Sequence, residues 1–407
     1  MIALMAWRSL WRNARRSGAT VAAMTLAVFM LIFYSGLSAG MMTRMQSKLL
    51  DFGLGDAQAF HIGYRGSPSI YERIDDVPAV LRALDDASFN AAPRLLGSGL
   101  AAAGKSSAGV RLYGVDLERE PKVSKIPEAL ARGAWLTADN HSGAVIGARI
   151  AKQLGVDVGA ELIVLSQAAD GSMANELYRV AGVLKPLSEE IDRGGVFITE
   201  PAFRELMVTP DGAHQLVIRL PPGARTPEQL DREVTRMRAL IPTLDAPTWR
   251  QINPGIASML ESAQGALVVM MSVVYLAIGI VILNAMLMAV FERIREFGVL
   301  KALGFGPRFV FTLILVEAML QASVAAILGA LLSVPVNWYM VHHGLVLEGM
   351  AGVGMMGVSM DAVWRSEVSA ATYIAPIALL FTFVILATIV PALRAALTVP
   401  AESMRHT

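Results

Sequence analysis

SAQGALVVMMSVVYLAIGIVILNAMLMAVF fills residues 262–291, between Glu261 and Glu292. It contains no Asp, Glu, Lys or Arg. A helix needs roughly 20 apolar residues to cross the hydrocarbon core of a bilayer, and this run exceeds that. Three more windows repeat it. Residues 17–43 lie between Arg16 and Arg44, residues 309–341 carry Glu317 as their only formal charge, and residues 368–393 lie between Glu367 and Arg394. The chain therefore reads as an α-helical membrane protein with four transmembrane helices, at 18–43, 262–291, 309–341 and 368–393. Composition agrees: 54% of the 407 residues are hydrophobic and 17% are charged, against about 25% charged in a soluble domain.

A cleaved signal peptide is the competing reading of the first window, with Arg8, Arg12, Arg15 and Arg16 as its basic region. A signal core is only about 7–15 residues long, and this stretch is longer. Basic residues set the orientation. They gather in residues 1–17, in the 292–308 loop (Arg293, Arg295, Lys301, Arg308) and in the 394–407 tail. The 342–367 loop is net acidic, with Glu348, Asp361, Arg365 and Glu367. Both termini are expected in the cytoplasm and residues 44–261 outside. The net charge of +1 gives no sign of nucleic-acid binding. The chain has no cysteine, and an outer domain of this size can bury a core without disulfides.

GLAAAGKSSAG, residues 99–109, matches the phosphate-loop pattern through Gly99, Gly104, Lys105 and Ser106. A true phosphate loop follows a buried strand and opens a helix. Residues 93–98 read as a poor buried strand, and Val110 to Val115 read as a strand rather than a helix start. A small-residue hairpin tip is the expectation, so ATP chemistry must come from another subunit. Within 44–261, strands are expected at 57–64 and 215–220. Helices are expected at 77–85 and from Pro227, where Thr226 caps and Leu230, Val234, Met237 and Ile241 share a face. A β-rich middle spans about 127–205. His61, His141 and His214 are scattered, and no catalytic or metal arrangement emerges.

The cytoplasmic loop FERIREFGVLKALGFGPRFVFTLILVEA, residues 291–318, encodes a short amphipathic helix. Ile294, Phe297 and Leu300 supply its apolar face, with Leu303 open to either side; Glu292, Arg293, Arg295, Glu296 and Lys301 supply the polar one. Gly304 stops the helix and Gly306-Pro307 turns the chain back. This loop resembles the E-R-x-R-E-[IF]-G-[VL]-L-[KR]-A-[LI]-G signature of the FtsX/MacB-type permeases of ABC transporters. PALRAALTVPAESMR, residues 391–405, is similar to that family's tail, and MAWRSLWRNARRSGAT, residues 5–20, to its interfacial helix. GVDLEREPKVSKIPEALARGAWL, residues 114–136, resembles the lipoprotein-release permeases LolC and LolE.

The resemblance implies a large α+β extracytoplasmic domain, built from a porter-like lobe and an inserted β-rich lobe. It implies a coupling helix, with Glu292, Arg293, Arg295, Glu296, Phe297, Leu300 and Lys301 facing a separate ABC ATP-binding subunit. No cofactor is implied in this chain; ATP and Mg belong to that subunit. A second permease copy or paralogue would complete a dimer in the bacterial inner membrane. A lipoprotein, periplasmic chaperone or adaptor would engage the outer side, and the work would pass across the bilayer as mechanotransmission. An FtsX-like transmitter that activates a cell-wall hydrolase is the alternative. Glu317 is an intramembrane acid, open to a packing role or to proton or substrate handling. Met41, Met42, Met45, Met355 and Met356 are candidate contacts for an acyl chain or for lipid.

Overall fold

The computed structural model describes residues 5–8, 14–221, 227–291, 294–346, 354–355, 358–359 and 363–397. The chain divides into two compact units. One comprises Met1–Thr43, Ser262–Glu348 and Val363–Thr407; the other comprises Arg44–Glu261 and Gly349–Ala362.

The first unit is built on four long apolar helices, Ala14–Leu49, Pro254–Phe291, Pro307–His342 and Ala370–Leu397. The first and second run past their apolar windows, to Leu49 and back to Pro254. A charged side chain does not stop a helix; termination needs a cap or a change of backbone. Met24, Val28 and Ile32 of the first span pack on Ala318, Ala322, Ala325 and Ala326 of the third and on Leu380, Val384 and Ala387 of the fourth. Lipid supplies no hydrophobic drive between helices, so close approach of small residues does the work. Gly329 marks one close approach: a Cβ there would collide with Val28. A second close approach joins Gly36 and Gly40 of the first span to the extended segment 365–367. The Glu367 amide donates to the Gly36 carbonyl at 2.9 Å, and a Cβ at Gly40 would overlap the Arg365 backbone. The second span is largely uncovered in the single chain, with Val269, Val273 and Leu276 exposed.

The second unit holds strands β1 (Ala57–His61), β2 (Asn90–Ala103), β3 (Ser106–Val115), β4 (Leu130–Gly133), β5 (Gly143–Ile146), β6 (Glu161–Gln167), β7 (Met173–Leu184), β8 (Gly195–Thr199), β9 (Gln215–Arg219) and β10 (Leu244–Asp245). One portion orders β10-β1-β9 onto the start of β2. Helices Val77–Asp86 and Pro227–Leu240 cover it through Leu81, Leu84, Val234 and Met237. The expected cap Thr226 lies outside the described residues. Asp76 caps the Val77–Asp86 helix by accepting from the Ala79 amide at 3.1 Å.

The remaining strands close on themselves. β2 pairs with β3, β3 with β8, β8 with β5, β5 with β7, β7 with β6, and β6 returns to β2. The result is a six-stranded barrel, filled by Leu112, Ile146, Leu162, Val164, Tyr178 and Val196 among others. A barrel this small is packed with side chains and is not a channel. It draws on more chain than residues 127–205, because the distal halves of β2 and β3 supply two of its staves. The 14-residue β2 pairs with β9 through 90–94 and with β6 through 100–102, so one strand serves both portions.

This geometry corrects the reading of 93–98 as a poor strand: the segment lies inside β2, with Pro93, Arg94 and Leu95 buried. Gly99 is also in mid-strand, where a Cβ would strike the Leu165 backbone of β6. The turn is Gly104-Lys105, Gly104 sits at φ 58°, and β3 follows directly. No helix begins there, so the hairpin reading holds and no phosphate cradle forms.

Candidate functional site

The loop between the second and third spans forms a helix over Ile294–Ala302. Glu292, Arg293 and the Arg295 side chain lie outside the described residues. Phe297 is 2% exposed and sits among Val310, Ile314, Ala392 and Ala395, with Leu300 beside it. The Lys301 ammonium donates to the Ala396 carbonyl at 2.6 Å, at the end of the fourth span. A helix C-terminus leaves carbonyls unsatisfied and carries partial negative charge, which suits a lysine there. Packing adds detail to the expected faces in two places. Lys301 is tied to the chain's own fourth span. Leu303 is 71% exposed and Val299 51%, so these two form the outward apolar surface. Glu296 is half-buried and interacts with a neighbouring group. Beyond Gly304 (φ 94°), Gly306 and Pro307 open the third span, and Phe305 stacks on Phe309 with centroids 4.5 Å apart.

A charged junction forms within the second unit, just after the end of the first helix. After Leu49 the chain makes a π-helical turn, Leu50–Leu54, in which Gly53 takes φ 136°. Asp51 accepts from Lys125 Nζ and from Arg219 Nη2, each at 2.8 Å. Asp56 accepts from the Leu220 amide at 2.9 Å, and burial raises its pKa above the usual carboxylate value. Arg94, 3% exposed, pairs with the fully buried Glu120 and donates through Nη1 to the Gly53 carbonyl at 3.0 Å. The Trp249 amide donates to the Asp56 carbonyl at 3.2 Å. The segment leading to the second helix is therefore fastened to the segment leaving the first. Sequence reasoning missed this junction, because its partners come from positions 51, 56, 94, 120, 125 and 219, and no short motif joins them.

Glu317 is 4% exposed on the third span and interacts with a neighbour; Gln321, one turn on, is equally buried. Met41, Met42 and Met45 are half-buried on the first helix. Met355 stands in a two-residue strand paired with Val358–Ser359, and Met356 lies outside the described residues. His61 pairs with Glu72 at 2.7 Å and His141 is exposed. His214 is buried: its Nδ1 accepts from the Leu96 amide at 3.0 Å and its Nε2 lies 3.1 Å from the Ile70 carbonyl. Among the described residues no group of His, Asp or Glu has metal-site geometry.

Residues 17–237 match the family described as MacB-like periplasmic core domain, and residues 268–400 match FtsX-like permease C-terminal. The chain is an FtsX/MacB-type permease. The permease is 23% identical over 420 residues to the lipoprotein-releasing system transmembrane protein LolC of Xylella fastidiosa strain 9a5c, covering 97% of this chain and 96% of that protein. LolC of Neisseria meningitidis serogroup B is 22% identical and covered end to end, as is this chain. The periplasmic region of MacB from Actinobacillus actinomycetemcomitans aligns with TM-score 0.35 at 15% identity, over 49% of this permease and 92% of that region. The chain is thus a multi-pass membrane permease with a periplasmic α+β domain.

Proposed function

We propose that this permease couples ATP hydrolysis on a separate ABC subunit to the extraction of lipoproteins, or a similar amphiphile, from the outer side of the inner membrane. The observation that carries this reading is the locked coupling helix. Phe297 and Lys301 fix it to the third and fourth spans, so a push on its outer surface moves those spans rather than bending a linker. Val299 and Leu303 then face the ATP-binding subunit, and ATP and Mg reside there. The termini are cytoplasmic and a second permease copy or paralogue completes the assembly. Similarity to LolC along the whole chain favours a lipidated substrate. The fastening of both membrane-connecting segments at Asp51 and Asp56 supports delivery of the displacement to the periplasmic domain.

Reconstitution of this chain with its ATP-binding subunit in proteoliposomes tests the proposal. ATP-dependent release of a triacylated reporter protein to a soluble acceptor is expected. ATP turnover without release, together with capture and activation of a cell-wall hydrolase, would establish the transmitter alternative.

A further inference from the structure

The periplasmic unit contains a cleft of about 1120 Å³, and Gly53 and Arg94 of the charged junction form part of its lining. Two ring pairs wall it: Phe60 on Tyr64, centroids 5.6 Å apart, and Tyr113 on Phe197, 4.8 Å apart. Arg111 and Glu190 form an ion pair at its mouth, and Tyr113 Oη donates to Glu190 at 3.0 Å. A second pair, Arg193 with Glu189 at 2.6 Å, lies beside it. All four charged side chains are more than half exposed, between 56% and 59%. Lys48 and Ile256 also line the cleft, and they belong to the helices that continue as the first and second spans.

The lining discriminates among ligand classes. An acyl chain has no use for four charged groups. A phosphate takes donors only; Arg65 and Arg94 of the lining are already paired with Asp245 and Glu120, and Glu189 and Glu190 would repel it. A polypeptide presents one N–H donor and one C=O acceptor per residue, and so needs acceptors and donors side by side. Exposed Arg–Glu pairs offer both, and being weakly held they re-pair onto a peptide with little loss. The ring pairs are only 1–8% exposed, so they back the cleft as a packed apolar wall and leave the exposed ion pairs as its main contact surface.

We propose that this cleft binds an extended polypeptide segment, the part of the substrate that adjoins its lipid anchor. The inference rests on the reading of the substrate as a lipidated protein.

The test uses the full chain in nanodiscs. The probe is a fluorescein-labelled, unacylated peptide of roughly ten residues alternating leucine and serine, long enough to extend about 33 Å. A triacylated form of the same peptide and short-chain phosphatidylglycerol serve as comparisons. Two variants of opposed kind are used. Arg111→Ala with Glu190→Ala removes donor and acceptor together without changing net charge, and Ser98→Trp narrows the cleft from β2. Saturable binding of the unacylated peptide is expected, with Kd raised about tenfold or more in both variants at unchanged melting temperature. Absence of that binding, unchanged Kd in correctly folded variants, or full displacement by phosphatidylglycerol would overturn the inference. If only the triacylated peptide binds, and both variants leave it unaffected, the cleft is excluded while lipoprotein release stands. Peptide affinity retained without ATP-driven release of the reporter would instead remove the transport reading.

Discussion

His214 illustrates how burial sets chemistry at a single residue. Loss of water holds its pKa down at about 4, so the ring stays neutral in the folded chain. Unfolded, it takes up a proton below about pH 6.5. Between these values the unfolded state binds more protons, so stability must fall as pH drops through that window. The loss approaches about 3 kcal/mol once pH is below both values. Melting of the full chain between pH 7 and pH 4 checks this, and His214→Gln should flatten the profile. Arg94 and Glu120 behave differently, because both are buried and each answers the other. Removing one partner strands a charge, and Glu120→Gln is expected to cost about 3–5 kcal/mol in denaturant unfolding. Arg94→Leu combined with Glu120→Leu should cost less than the single change, since no charge is left behind. Equal or additive losses would contradict this account.

At the level of single elements, the Ile294–Ala302 helix and the β2–β3 hairpin show what periodicity reports and what it omits. Spacing revealed an amphipathic helix near 292–303 and a hairpin around residue 104. It did not reveal that Lys301 reaches Ala396, because that bond spans 95 positions. It also left Leu303 open, since two surfaces compete for one short helix and only packing decides which residue each takes. Leu303→Asp should release the ATP-binding subunit while the permease melts normally; co-purification and thermal melting measure the two effects. Phe297→Ala should instead destabilise the permease by about 3–5 kcal/mol, the usual cost of emptying a packed phenylalanine site. Normal ATPase stimulation in Leu303→Asp would rule out the docking surface. In the hairpin, Lys105 sits exposed at a turn with no helix behind it. Lys105→Ala should leave ATP turnover of the assembled complex unchanged, and loss of turnover with intact assembly would restore a nucleotide role.

For the molecule as a whole, the expected arrangement places residues 60–250 in the periplasm. Cysteine substitutions in that segment should react with impermeant maleimide on spheroplasts, and cytoplasmic labelling would reverse the topology. The four spans and the turn of the coupling loop were legible from sequence, because the bilayer imposes a local demand. Each run must be long and apolar enough within itself, whatever the rest of the chain does. The closed barrel was not legible. β6 returns to β2 across more than sixty positions, and β3 and β8 lie side by side though about eighty residues apart. The same holds for the clasp at Asp51 and Asp56 and for the cleft between the stacked ring pairs. Strand pairing and ion pairing between distant segments depend on which surfaces meet after folding, and no short window of sequence records that. Sequence alone therefore determined what lies in the membrane, while tertiary structure alone decided how the strands of the periplasmic domain close and which of its distant charged groups pair.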